Sequence, residues 1–133
     1  MITIPLSKLF IGYVKNVTFK EVKTYIENML NLKSEVTTSQ HCYGDLDDYS
    51  WETFKFYFKD IDTLFSINAG VDRGRNKENK GKDVIFIEIN IYQKDDYRTN
   101  IYVETDDVEH WLIMSDNFYQ KLAKYCNRNF FNN

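Results

Sequence analysis

The chain has 133 residues, with 20 acidic and 17 basic side chains and a formal net charge of −3. This length can bury a core without disulfide or metal support, and a hydrophobic share of 43% indicates a folded rather than a disordered protein. Two cysteines are too few for a disulfide framework, and no apolar run approaches the roughly 20 residues of a membrane span. Because no secretory leader is recognisable, we expect one cytoplasmic domain over residues 1–133, without a cofactor.

The first elements in the chain are a short strand and a helix. Residues 9–14 are an apolar stretch typical of a strand. Thr18 and Glu21 match a capping box, in which each side chain accepts a hydrogen bond from the other's backbone amide at the start of a helix. Apolar residues then recur at helical spacing, at Val22, Ile26, Met29 and Leu30. The pattern predicts an amphipathic helix after residue 18.

Beyond this helix, apolar and polar residues alternate with the period of a strand. The clearest case is residues 51–59, where Phe54, Phe56 and Phe58 share one face. The same alternation predicts strands over residues 36–43, 64–71, 85–91 and 98–104, and residues 111–114 are interpreted as a last short strand.

The C-terminal segment predicts a second helix that begins near Ser115 or Asp116. Its apolar stripe consists of Phe118, Leu122, Tyr125 and Cys126. The element order is typical of an α+β protein. We therefore expect a single antiparallel sheet of about five to six strands, with an N-terminal and a C-terminal helix packed on one face. The polar residues on the other face make it a candidate binding surface.

Acidic residues are concentrated in two segments rather than spread along the chain. Residues 45–62 carry six acidic and two basic side chains, and residues 95–116 carry seven acidic and one basic side chain. Both segments also contain tyrosine and tryptophan, which are frequent in binding hot spots. Such a combination predicts a surface that binds a basic protein partner.

The predicted contact residues are Asp45, Asp47, Asp48, Tyr49, Trp51, Asp95, Asp96, Tyr97, Glu104, Asp106, Asp107, Glu109 and Trp111. The alternative for the acidic residues is an ordinary solvated surface. The alternative for the two tryptophans is burial in the core, since each lies next to a predicted strand.

Other residue patterns favour other functions less strongly. Zinc-binding atoms occur at His41, Cys42, His110 and Cys126, but only the first two are close in sequence, so we predict no metal site. His41 and His110 as the acid and base of a small nuclease or hydrolase remain an alternative. Residues 72–82 carry five basic and two acidic side chains without an aromatic residue, which is typical of a solvated hairpin loop. A nucleic-acid-binding segment is the alternative here, although we expect no direct nucleic-acid partner.

The segments DLDDYSW at residues 45–51 and ETDDVEHW at residues 104–111 complete this pattern of acid beside aromatic side chains. In its general character the chain resembles the immunity proteins of bacterial toxin–immunity cassettes, including those of contact-dependent growth inhibition. The resemblance implies a non-enzymatic inhibitor that binds a cognate basic toxin, typically a nuclease, with carboxylates standing in for substrate phosphates. A phage-encoded anti-defence inhibitor would show the same pattern.

Overall fold

The computed structural model describes residues 19–43, 49–72, 84–105 and 111–131. Two helices, five strands and one short 3-10 turn lie in these ranges. They are α1 (Phe19–Leu30), β1 (Glu35–Tyr43), β2 (Tyr49–Phe58), the 3-10 turn (Lys59–Ile61), β3 (Thr63–Asp72), β4 (Val84–Gln93), β5 (Asp96–Thr105) and α2 (Trp111–Phe130). Neither helix is long and apolar enough to cross a membrane.

The five strands form one antiparallel sheet in the order of the chain. Each strand pairs with its sequence neighbours, so the sheet order is β1-β2-β3-β4-β5. In the middle of the sheet, Phe54 lies opposite Ile67, and Ile67 lies opposite Ile89. The predicted α+β fold, with an antiparallel sheet and two helices, is confirmed.

One face of the sheet is packed against both helices and forms the core. The core cluster joins apolar residues of β2, β3, β4 and β5 with residues of α1 and α2. Phe56 lies at its centre, fully buried, with its ring 5.4 Å from that of Phe65 in a nearly parallel stack. Burial of one such side chain contributes about 1.5–3 kcal/mol, so this face supplies most of the driving force for folding.

Helix α1 is fixed at its C-terminal end by a carboxylate. Val22, Ile26 and Leu30 are buried, as the helical spacing predicts. Glu27 accepts hydrogen bonds from the Ser34 backbone N–H at 2.8 Å and from the Ser34 hydroxyl and the Lys23 ammonium, both at 3.0 Å. Partial burial alone would raise the pKa of Glu27, but these hydrogen bonds outweigh it and hold the pKa below its ordinary value.

Helix α2 begins earlier than the sequence predicts. It starts at Trp111 rather than near Ser115 or Asp116, so residues 111–114 are helical and the prediction of a last short strand there is wrong. A short apolar run does not distinguish strand from helix by itself. The decisive pattern is the i, i+4 series that Met114 begins and that continues through Phe118 and Leu122.

The buried stripe of α2 ends at a cysteine. Phe118, Leu122 and Cys126 are fully buried against the sheet. Cys126 is a free thiol, and burial raises its pKa to about 12.

Some predicted features lie outside the described residues. They are the strand over residues 9–14, the Thr18 cap and most of the basic segment over residues 72–82.

Candidate partner-binding surface

The face of the sheet opposite the helices, here called the polar face, carries the candidate site. Strand alternation and register place its side chains in rows across four strands. The polar face consists of Trp51, Thr53, Lys55 and Tyr57 of β2, Leu64, Ser66, Asn68 and Gly70 of β3, Phe86, Glu88, Asn90 and Tyr92 of β4, and Tyr97, Asn100, Tyr102 and Glu104 of β5.

A chain of hydrogen bonds runs across the centre of the polar face. The Trp51 indole N–H donates to the Thr53 hydroxyl at 3.1 Å. That hydroxyl donates to the Asn68 side-chain oxygen at 2.6 Å. The Asn68 amide in turn donates to Glu88 at 3.3 Å. Thr53 is almost fully buried, and a buried polar group is costly unless it is paired.

The chain of hydrogen bonds continues onto β5. The Asn100 amide donates to the second oxygen of Glu88 at 3.1 Å and to the Asn90 side-chain oxygen at 2.8 Å. Glu88 therefore accepts one amide donor on each oxygen, from the strands on either side. Because these side chains are hydrogen-bonded to one another, the centre of the polar face has a fixed arrangement.

Aromatic side chains lie on both sides of this polar centre. At one end Trp51 and Phe86 are register neighbours of Gly70, and the Phe86 ring stacks on Tyr102 at 6.3 Å. The absence of a side chain at Gly70 leaves a gap in that row of the sheet. Phe86 is only 2% exposed although it does not face the helices.

Three tyrosines lie at the opposite end of the polar face. Tyr57 is two strands away from Tyr92 in the same row, with Leu64 between them. The rings of Tyr92 and Tyr97 meet edge to face at 5.7 Å. Tyr97 is 57% exposed. Large, partly exposed tyrosines held by neighbouring rings are typical of binding surfaces.

Two tight turns meet beside these tyrosines. Asp62 in the β2–β3 turn and Lys94 and Asp95 in the β4–β5 turn have left-handed backbones, with φ of 45°, 52° and 66°. The Lys94 backbone N–H donates to the Asp62 carbonyl at 2.9 Å and joins the two turns. The Tyr57 hydroxyl donates to the Asp62 carboxylate at 2.5 Å.

The carboxylates of these turns also act on the Tyr57 hydroxyl electrostatically. The hydrogen bond to Asp62 raises the pKa of Tyr57 above its ordinary value, and lost hydration and the charge of Asp95 add to the effect. Asp62 and Asp95 border the same hollow in the surface as Tyr57 and Tyr92.

The structure brings part of the predicted contact set together. Asp95, Asp96, Tyr97 and Glu104 are exposed on β5 and the turn before it, and the Tyr102 hydroxyl donates to Glu104 at 2.6 Å. Asp96 lies 3.8 Å from Arg98 in an exposed ion pair. These residues mark the β5 edge of the sheet, with Asp95, Asp96 and Tyr97 at its turn end and Glu104 at its other end.

Trp51 belongs to the polar face and is half-buried there, so it does not lie in the core between sheet and helices. Tyr49 lies in β2 and Trp111 at the start of α2, but their side chains are outside the described part of the structure. Asp45, Asp47, Asp48, Asp106, Asp107 and Glu109 lie outside the described residues, and their role in binding stays a prediction.

The alternative catalytic pair is described only in part. His41 lies in β1 opposite Glu52 of β2, whereas His110 precedes α2 outside the described residues. Within the described ranges no three His, Cys, Asp or Glu side chains are grouped as a metal site would require.

Sequence reasoning missed the hydrogen-bonded row of Thr53, Asn68, Glu88, Asn90 and Asn100. The available signal was the alternation of polar with core residues in four strands. It does not show which of these polar residues are neighbours, because that depends on strand register.

No family model, curated protein or solved structure matches this chain. The arrangement offers fixed hydrogen-bonding groups, aromatic contact area and exposed carboxylates, which together suit recognition of a polar, basic surface.

Proposed function

We propose that this chain is a protein-binding inhibitor that uses the polar face to cover a basic surface of its partner. The particular function we propose is that of a cytoplasmic immunity protein. It neutralises a cognate basic nuclease toxin without catalysis, by covering the toxin's active site or a neighbouring surface. The observation that carries the proposal is the β5 edge of the polar face, where exposed tyrosines and carboxylates lie beside an ordered hydrogen-bonded centre.

Charge on this edge favours a basic partner. The exposed carboxylates of the two turns and β5 are Asp60, Asp62, Asp95, Asp96 and Glu104, against the exposed cations Lys59, Lys94 and Arg98. Carboxylates at the edge of an interface accelerate association with a positively charged protein and make the rate sensitive to salt. The acidic residues of 45–48 and 106–109 would add to this field if they lie nearby.

Order on the polar face favours tight binding. Side chains that are already held by neighbours lose less conformational entropy when a partner binds. Glu88, Asn90 and Asn100 are held in this way by their mutual hydrogen bonds. Tyr92 and Tyr97 are held by their ring contact. These residues supply directed hydrogen-bonding groups and large contact area at a small entropic cost.

The partner is first identified by co-expression of the tagged chain with the product of its upstream genomic neighbour, purified at two salt concentrations. We expect stable co-purification of a basic, toxic protein. If a host protein is captured instead, the anti-defence alternative is correct. If neither a toxin nor any other basic protein binds, the proposed function is wrong.

The contact surface is then tested by paired substitutions measured by binding kinetics. Tyr97 and Tyr102 are exposed on the polar face, and we expect the double change to alanine to weaken binding by about tenfold or more. Tyr25 is an exposed tyrosine on α1, and Tyr25→Ala is the matched control that leaves affinity unchanged.

The acidic segments are tested by two triple substitutions to alanine. One removes Asp45, Asp47 and Asp48, and the other removes Asp106, Asp107 and Glu109. We expect each to slow association and to reduce its salt dependence, with a smaller effect on dissociation. Association that is unchanged in both variants contradicts a role for these segments in steering.

A further inference from the structure

A small hollow opens on the polar face where the two turns meet. Its volume is about 160 Å³, and it is lined by Lys55, Tyr57, Asp62, Leu64, Tyr92 and Asp95. Pockets for small-molecule ligands are usually about 300–1,000 Å³, so this hollow is too small for most of them. Its size suits part of one side chain.

The walls of the hollow are aromatic and its rim is acidic. Leu64 lies between Tyr57 and Tyr92 in the same row of the sheet, so the two tyrosines stand on either side of an apolar floor. Asp62 and Asp95 line it from the two turns, and Lys55 lines it from β2. Two carboxylates and one ammonium group give the lining a net charge of −1.

The lining is held in place by contacts within the chain. Tyr57 is hydrogen-bonded to Asp62, and Tyr92 packs against Tyr97. The backbone hydrogen bond from Lys94 to Asp62 joins the turn that carries Asp62 to the turn that carries Asp95. The two carboxylates are therefore anchored to one rigid end of the sheet rather than to separate loops.

We propose that this hollow receives a single arginine side chain of the protein partner. This proposal rests on the proposed function, since it names the group by which a basic partner is recognised at the polar face. The guanidinium group is flat, stacks on tyrosine rings and donates several hydrogen bonds in a fixed plane. It therefore matches a site with aromatic walls and two carboxylate acceptors at the rim.

A direct test uses the capped peptide acetyl-Gly-Arg-Gly-amide as the probe and the full chain labelled with ¹⁵N. We expect saturable shifts of backbone amide signals at Tyr57, Asp62, Tyr92 and Asp95. The matched probe carries citrulline, which has nearly the same shape without the charge, and we expect it to bind at least tenfold more weakly. Shifts that never saturate, or equal binding of both peptides, overturn the proposal.

Substitutions of neighbouring aspartates separate the hollow from general charge. Asp95→Asn should weaken arginine-peptide binding by about three- to tenfold, and asparagine tolerates the left-handed backbone at this position. Asp96→Asn removes the same charge one residue further on, from a carboxylate that does not line the hollow, and should change binding less than twofold. Equal weakening by both changes shows that only the overall charge matters and overturns the proposal.

A third variant is expected to gain affinity, which structural damage would not produce. Lys55→Met removes the one cation in the lining while keeping a long side chain, and should strengthen arginine-peptide binding about two- to fivefold. Binding that is weakened or unchanged in this variant contradicts the proposed position of the guanidinium group. These measurements do not require the partner. The arginine peptide can therefore fail to bind while the partner still co-purifies, so the two proposals are tested independently.

Discussion

The two faces of the sheet are built from the same strands but are held by different interactions. On the helix side, Phe56 and Phe65 stack in a dry core. On the polar face, which carries the alternate residues of the same strands, Thr53 and Asn68 are joined by a hydrogen bond. Burial of apolar area on the helix side lowers the free energy of the folded state. Hydrogen bonds on the polar face fix the positions of its side chains and add little net stability. The stabilising core thus lies on one side of the sheet, and the proposed recognition surface lies on the other.

The largest expected effect is the loss of a core ring. Phe56→Ala removes a fully buried side chain that contacts Phe54, Phe58 and Phe65, and we expect the free energy of unfolding to fall by about 3–5 kcal/mol. Urea denaturation measures this change. The control Tyr97→Ala, on the exposed polar face, should cost only about 0.5 kcal/mol. Equal losses in the two variants would contradict the conclusion that the helix-side face supplies most of the stability.

An intermediate effect is expected in the hydrogen-bonded row. Thr53→Val keeps the shape of the side chain but leaves the Trp51 N–H and the Asn68 oxygen without this partner, and should cost about 1–3 kcal/mol. Thermal or urea unfolding measures it.

Ser66 provides the matched control for the row. It is 5% exposed in the middle of the polar face, and its hydroxyl makes no hydrogen bond with the residues that the structure describes. Ser66→Ala should therefore change stability by less than about 0.5 kcal/mol. A cost as large as that of Thr53→Val would mean that burial of the position matters more than its hydrogen bonds.

A smaller, pH-dependent effect is expected from the carboxylate on the helix side. The pKa of Glu27 is held below its ordinary value, so its charged form stabilises the folded state above the unfolded pKa of about 4.3. That contribution is lost as the pH falls through the lower folded-state pKa. Glu27→Gln should cost about 1 kcal/mol at pH 7, and its difference from the wild type should shrink on acidification. The control is Glu35→Gln at an exposed position of β1, which should cost less than about 0.5 kcal/mol at pH 7 by the same urea denaturation.

The smallest effect is expected from the exposed ion pair of β5. Arg98 and Asp96 are 3.8 Å apart and both largely exposed, so Arg98→Ala should change the free energy of unfolding by no more than about 0.5 kcal/mol. Partner association measured at low and high salt is the more sensitive readout. A loss of more than 1 kcal/mol would show that this pair is structural.

The fold was largely predictable because alternation is a local signal. Phe54, Phe56 and Phe58 alternate with polar residues, and the same period marks the strands that follow, so their number and buried faces could be predicted. The start of α2 could not, because four apolar residues at 111–114 fit both a strand and a helix. Only their continuation toward Phe118 distinguishes the two.

The candidate site was less predictable because it depends on register and turns. The sequence indicates that Asn68, Glu88 and Asn100 are polar residues of three strands, but it does not show that they are adjacent. Likewise Asp62 and Asp95 are 33 positions apart, and only the pairing of β3 with β4 brings their turns together. Charge clustering selects residues of the β5 edge, whose role in binding stays a prediction, and it gives no indication of the hollow beside them.

The buried thiol of α2 gives the protein an internal reporter. Cys126 is inaccessible in the folded chain and its pKa of about 12 keeps it protonated, so an alkylating reagent can modify it only when the helix leaves the sheet. In a Cys42→Ser background, the alkylation rate at Cys126 therefore counts opening events of the core. A partner that binds the polar face, on the far side of the sheet, should lower this alkylation rate without contacting the sulfur.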